Sequence, residues 1–219
     1  KSGIVDELTK GIDFLYKKNK VTKFVGTAKL ITPNSVEITN DNKINIIHAK
    51  NIIIATGSEA SRLPNIDIDE KRIVTSTGAL ELKEVPKKMI VIGAGVIGLE
   101  MGTVWRRLGA EVEVMEYLPR ILPGMDNEIA EKFMKILEKQ GLNFKLGHAV
   151  ESTKIIANKV ILSIRNVAKE NIEEIDADVV LVAVGRKPNT DGLGLNDLNI
   201  HTDKQGFIKI NNNFQTSIN

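Results

Sequence analysis

Gly93-Ala94-Gly95-Val96-Ile97-Gly98 stands between an apolar run and a helical pattern, and few folds accommodate that order. Lys88 to Ile92 reads as a buried strand leading into the glycines. The spacing beyond them predicts a helix to Leu108, with Gly109 as its stop. Glu111 to Met115 is the next strand, and Glu116 sits at its end. Asp126 is a good N-cap for a second helix running to Gln140 and stopped by Gly141. Its expected apolar face is Ile129, Phe133, Ile136 and Leu137. Strand, glycine turn, helix, strand, helix and strand form a right-handed βαβαβ unit.

Three glycines alone are a weak signal. Here a strand precedes them, a helix opens on them, and an acid ends the following strand, which is the context a dinucleotide cradle requires. Gly93 allows the tight turn, Gly95 removes a Cβ where a pyrophosphate would approach, and Gly98 lets helix and strand pack closely. The helix N-terminus offers N–H groups and partial positive charge to phosphates. Glu116 lies about 18 residues after Gly98, near the ~20 expected of a ribose ligand. A carboxylate there accepts from a free 2′-hydroxyl and repels a 2′-phosphate, so NAD is expected over NADP. By periodicity alone, Glu100 is a solvated carboxylate and Trp105 is core.

Either side of this unit the chain repeats a theme. Residues 4–20 show helical spacing of Ile4, Leu8, Ile12 and Leu15. Val21 to Ile31, Ser35 to Thr39 and Ile44 to Ala49 follow, separated by Pro33-Asn34 and Asn40-Asp41-Asn42, and predict an antiparallel meander. Asn51 to Ala55 is nearly all apolar, the mark of a strand covered on both faces, and ends in Thr56-Gly57-Ser58. The order then returns: Ala149 to Ile156 and Lys159 to Arg165 predict a hairpin about Asn158, with a third strand near Ile172 to Ile175. A buried run, Asp178 to Val184, ends at Gly185. Gly57 and Gly185 lie about 130 positions apart, too far for a solenoid repeat, so two related units are expected.

Composition excludes other classes. Thirty basic and 28 acidic side chains are well mixed and leave a net charge of +2, so no basic patch points to nucleic acid or a membrane surface. No apolar run reaches the roughly 18 residues needed to span a bilayer. His48, His148 and His201 have no acidic or thiol partner at metal spacing, and no metal ligand set is expected. The absence of cysteine excludes disulfides, Cys-based zinc sites and thiol chemistry carried by these residues.

IVIGAGVIGLEMGTVWRRLGAEVEVME, followed by LPRILPGMDNEIAEKFMKILEKQGLNFKL, resembles the NAD domain of the dihydrolipoamide dehydrogenases, within the flavoprotein disulfide reductases. IIIATGSEASRLP, STGALEL and VAVGRKPNT resemble the same family, so the likeness covers essentially the whole chain. It implies an α/β fold: a Rossmann-like NAD-binding domain with a β-meander over 86–184, inserted in a partial FAD-binding domain of the same type. Residues 1–85 would be the latter part of that flavin domain and 185–219 the return to it. The resemblance implies that Gly93, Ala94, Gly95, Val96, Ile97, Gly98, Leu99 and Glu100 line the NAD pyrophosphate and nicotinamide side. Glu116 would hold the adenosine ribose, with Val150 and Gly185 as further NAD contacts. Thr56, Gly57 and Ser58 match the family's contact to FAD, and Ala28 stands where the family usually has a flavin-contacting glycine. Val96 fits the lipoamide branch; glutathione reductases usually have tyrosine there.

The family's redox-active cysteine pair, its second flavin motif and its His–Glu proton-transfer pair have no match here, so no catalytic residue is expected among these residues. Gly93 precedes Gly185 by about 90 residues, and the same interval before Gly57 falls ahead of Lys1. A central fragment is therefore expected. It would belong to a homodimeric, FAD- and NAD-dependent oxidoreductase that oxidises dihydrolipoyl groups. Its partner would be a 2-oxo acid dehydrogenase or glycine cleavage complex, in a bacterial cytoplasm or mitochondrial matrix. Alone, the fragment is expected to be inactive in lipoamide oxidation. The rival readings are a free-standing NAD-binding module and another NADH-dependent flavoprotein, of the NADH oxidase or ferredoxin reductase type.

Overall fold

The chain divides at two crossings, after Gly57 and after Lys187. The computed structural model describes residues 1–218, which fall into two units, 1–57 with 188–218, and 58–187.

In the first unit, helix α1 (Ser2–Lys18) buries none of its residues. Strands β1 (Thr27–Thr32), β2 (Ser35–Asn40) and β3 (Lys43–His48) form the antiparallel meander the turn signals predict. The first strand starts at Thr27 rather than Val21. At Gly26 the backbone lies against β2, where a Cβ would stand 2.6 Å from the Thr39 carbonyl oxygen. A small cluster of Leu30, Leu195 and Ile200 forms the core.

The buried strand expected over 51–55 is not there. No ladder forms on it among the described residues, and Ile53 is 90% exposed. An apolar run becomes a central strand only where neighbours cover both faces and pair both edges. Here Ile52 and Ile54 instead lean on the small cluster.

The second unit opens with β4 (Ser58–Ala60), β5 (Ile73–Val74) and the one-turn α2 (Ser76–Ala79), which is capped by Thr75. Then come β6 (Lys88–Ile92), α3 (Val96–Arg107), β7 (Glu111–Glu116), α4 (Asn127–Lys139) and β8 (Leu142–Leu146). A second meander follows: β9 (His148–Ile156), β10 (Lys159–Asn166) and β11 (Ile172–Ala177), before β12 (Val179–Val182) and β13 (Arg186–Pro188). The central sheet runs β5-β12-β6-β7-β8, all parallel. From β6 the chain winds outward through β7 and β8, and then returns to β12 on the other side. The switch point of this doubly wound order lies between β6 and β12, where such sheets open a crevice. Because β5 pairs with β12, residues 73–74 belong to this sheet.

Both stops predicted by glycine hold: Gly109 (φ +112°) ends α3 and Gly141 (φ +90°) ends α4, in a backbone region that other residues rarely enter. Two expectations need correction. The run over 178–184 leaves the ladder at Val182, and Val184 is exposed as the chain turns at Gly185 (φ +121°). In α4 the core takes Ala130 and Leu137, with Met134 beside them, while Ile129, Phe133 and Ile136 face outward. The helix is thus rolled by about one residue relative to its most apolar stripe.

Asp178 joins the sheet to the second meander. Its carboxylate accepts from Lys88 N at 2.9 Å and pairs with Lys159 Nζ at 2.9 Å. Burial pushes its pKa up, but Lys159 and the Lys88 N–H outweigh burial and hold it below the ordinary carboxylate value. A depressed folded pKa gives stability that is fully present above the unfolded pKa of about 4 and is lost as pH falls through the folded value. Thermal melts between pH 5 and pH 2 are therefore expected to show Asp178→Asn melting below the wild type at pH 5. The gap should close as acid protonates the wild-type carboxylate.

Candidate functional site: a crevice at the switch point

The crevice lies at the C-terminal edge of the central sheet. A cavity of about 730 Å³ opens there, between the ends of β6, β7 and β12 and the start of β9. Gly93 (φ +104°) begins the turn, and a Cβ on it would stand 2.5 Å from the Ala183 carbonyl oxygen at the end of β12. Behind the turn, a Cβ on Gly98 would collide with the Gly93 carbonyl oxygen and approach Val91 Cγ1 to 3.1 Å. Gly95 differs: a Cβ there would meet nothing within 4 Å. Its missing side chain leaves open space in front of the first turn of α3, whose N-terminus no side chain caps. That is the cradle an anion needs.

Glu116 borders this cradle and is held in place. One carboxylate oxygen accepts from Ala94 N at 2.8 Å and the other from Leu118 N at 2.9 Å. Each carboxylate oxygen has more than one acceptor site, so both can still take ligand hydroxyls. The loop beyond folds back over the glycine turn, with Leu122 N donating to Ala94 O at 3.0 Å. Arg120 fixes that loop, its guanidinium donating to the carbonyl oxygens of Ile121, Leu122 and Met125 and to Asn127 Oδ1. Its charge is thereby used within the loop.

The cavity brings together Gly93, Gly95, Val96, Ile97, Glu116, Val150 and Gly185. Of the other candidates, Ala94 is buried and supports Glu116 through its N–H, Gly98 and Leu99 are buried behind the turn, and Glu100 is exposed outside the cavity. Sequence reasoning missed Tyr117, Leu118, His148 and Arg186, which also line it. Tyr117 and Leu118 directly follow the end of β7, and that position was their one available signal. The Gly185 carbonyl accepts from Ser61 N at 3.0 Å, and the Arg186 guanidinium donates to the hydroxyl and carbonyl oxygens of Ser58.

The remaining candidates are placed as follows. Ala28 is exposed on β1, opposite Ile38. Thr56 Oγ1 donates to Asn189 O at 2.6 Å, and Asn189 N donates to Gly57 O at 3.0 Å. Gly57 holds φ +72°, with nothing within 4 Å of where a Cβ would be.

The sequence profile of the pyridine nucleotide-disulphide oxidoreductases matches residues 2–219. The chain belongs to this family. The mitochondrial dihydrolipoyl dehydrogenase of Dictyostelium discoideum is 51% identical over 98% of the chain and 44% of its own length. The leghemoglobin reductase of Glycine max is 47% identical over 100% of the chain and 42% of its own length. Among solved structures, the HOCl-induced flavoprotein disulfide reductase RclA of Escherichia coli superposes with a TM-score of 0.80 at 26% identity, over 97% of the chain and 49% of that protein. The chain therefore spans less than half the length of the curated relatives it matches. Dihydrolipoyl dehydrogenases of this family use FAD and NAD.

Proposed function

We propose that this chain supplies the NAD site, and part of the FAD site, of a dihydrolipoyl dehydrogenase. The observation that carries the reading is Glu116, pinned by Ala94 N and Leu118 N beside the open Gly95 cradle. The Val96 and Ile97 N–H groups, at the uncapped start of α3, would take the pyrophosphate, and Glu116 the adenosine ribose hydroxyls. Val150 and Gly185 would bound the cavity on its two sides, and Glu100 would act from the nicotinamide side. For the flavin, Thr56, Gly57 and Ser58 supply a backbone fixed by Asn189 and Arg186, with no side chain over Gly57. Ala28 would contribute a backbone contact. Bound together, the two cofactors supply hydride transfer between reduced flavin and nicotinamide.

In this reading residues 86–184 are the NAD-binding domain, and residues 1–85 and 185–219 are parts of the FAD-binding domain. The dithiol that takes electrons from dihydrolipoyl groups lies outside these residues, which contain no cysteine. The partner is a lipoyl-bearing 2-oxo acid dehydrogenase or glycine cleavage complex, and the parent is a homodimer. Its compartment is the mitochondrial matrix or a bacterial cytoplasm. Among the described residues no helix is long and apolar enough to cross a membrane. The 47–51% identity to proteins named dihydrolipoyl dehydrogenase supports this branch over an NADH oxidase or ferredoxin reductase.

The experiment is a titration of the chain with NADH and NADPH, followed by nucleotide fluorescence. NADH is expected to bind at least about tenfold more tightly, because Glu116 repels a 2′-phosphate. Equal affinities would remove Glu116 from the ribose site.

A further inference from the structure

We propose that His148 is the aromatic platform for the adenine ring in this cavity, an inference that rests on the nucleotide reading above. The argument begins one strand away. Asn166 lies directly opposite His148 in the β9–β10 ladder. The Asn166 side-chain oxygen accepts from Ala168 N and Lys169 N, both at 3.0 Å, which fixes the amide so that its NH₂ faces His148 Nε2 at 3.2 Å. An NH₂ only donates, so Nε2 is the acceptor and the ring proton is on Nδ1. That proton is donated to Leu146 O at 2.8 Å.

Both ring nitrogens are thus engaged within the protein, and what His148 offers a ligand is ring carbon. The imidazole is a flat surface whose orientation is set from two sides. Its place in the cavity fits a base rather than a sugar or phosphate. His148 and Val150 are two apart on β9 and share a strand face, and both line the cavity alongside Glu116, Tyr117 and Leu118 from the end of β7. The phosphate cradle at Gly95 follows β6, and the far wall at Val182 to Gly185 lies at and beyond the end of β12. The half of a dinucleotide beyond the ribose held by Glu116 is its purine, and a purine face binds flat aromatic surfaces by stacking.

The test compares His148→Leu with His148→Phe in the whole chain, using NADH as the probe. Both variants lose the bonds to Leu146 and Asn166 and both fill the space; only Phe keeps an aromatic face. His148→Phe is expected to bind NADH within about twofold of wild type and His148→Leu about tenfold more weakly, as loss of base stacking implies. Equal affinities of Leu and Phe, whether both strong or both weak, would overturn the platform while leaving the nucleotide site standing. Failure of the wild-type chain to bind NADH would instead overturn the site reading itself.

Discussion

Gly98→Ala is expected to destabilise the second unit by about 2–4 kcal/mol, read as a lower urea midpoint with an unchanged slope. The new Cβ collides with the Gly93 carbonyl oxygen and crowds Val91 Cγ1 at 3.1 Å. Neither can retreat: Gly93 is tied into the glycine turn by its N–H to Met115 O at 2.8 Å, and Val91 is fully buried on β6. Overpacking of this kind costs more than the helix propensity gained by replacing glycine. Gly102→Ala, one turn further along α3, is the matched control. Its Cβ would find Val112 Cγ1 at 3.4 Å, an ordinary contact. That variant is expected to be neutral or stabilised by up to about 1 kcal/mol.

Gly95→Val inverts the pattern. Nothing lies within 4 Å of a Cβ at residue 95, and its φ of −79° is open to any residue. The variant is expected to melt within about 2 °C of wild type, since N-cap glycine gives little stability of its own. NADH affinity should nevertheless fall at least about 100-fold, because the isopropyl group fills the space from which the first N–H groups of α3 face a pyrophosphate. Two glycines three residues apart thus separate fold from ligand: one substitution damages stability and the other only binding. If Gly95→Val bound NADH normally, the cradle would not be the phosphate site.

What could be read in advance was local. Gly93, Gly109 and Gly141 all sit at left-handed φ, and their neighbours show apolar runs or helical spacing that need no distant partner to interpret. Both meanders were legible because their turn residues and alternation lie within a few positions of each other. The misreadings concern what covers a surface. Asn51 to Ala55 has the composition of a central strand, but pairing depends on neighbours far away in sequence. Helix α4 shows its strongest apolar stripe at Ile129, Phe133 and Ile136, whereas contact with the sheet selects Ala130 and Leu137, whose smaller or better-placed side chains fit there. His148 gave no signal at all. Its tautomer follows from Asn166, 18 residues away and brought opposite only by the β9–β10 register.

Glu116 divides in the same manner. Its distance from the glycines predicts a ribose ligand, but the two backbone N–H groups that hold the carboxylate come from the glycine turn and the loop beyond β7, and only the fold shows them. Its restraint matters to selectivity, because a fixed carboxylate cannot swing away from a 2′-phosphate.

The most direct test of the central claim is the ratio of NADH to NADPH affinity in Glu116→Ala set against the same ratio in the wild-type chain. The wild type should favour NADH at least about tenfold, and the variant should lose most of that preference, chiefly by weakening NADH. A ratio unchanged by the substitution would contradict the assignment of this crevice as an NAD site read by Glu116.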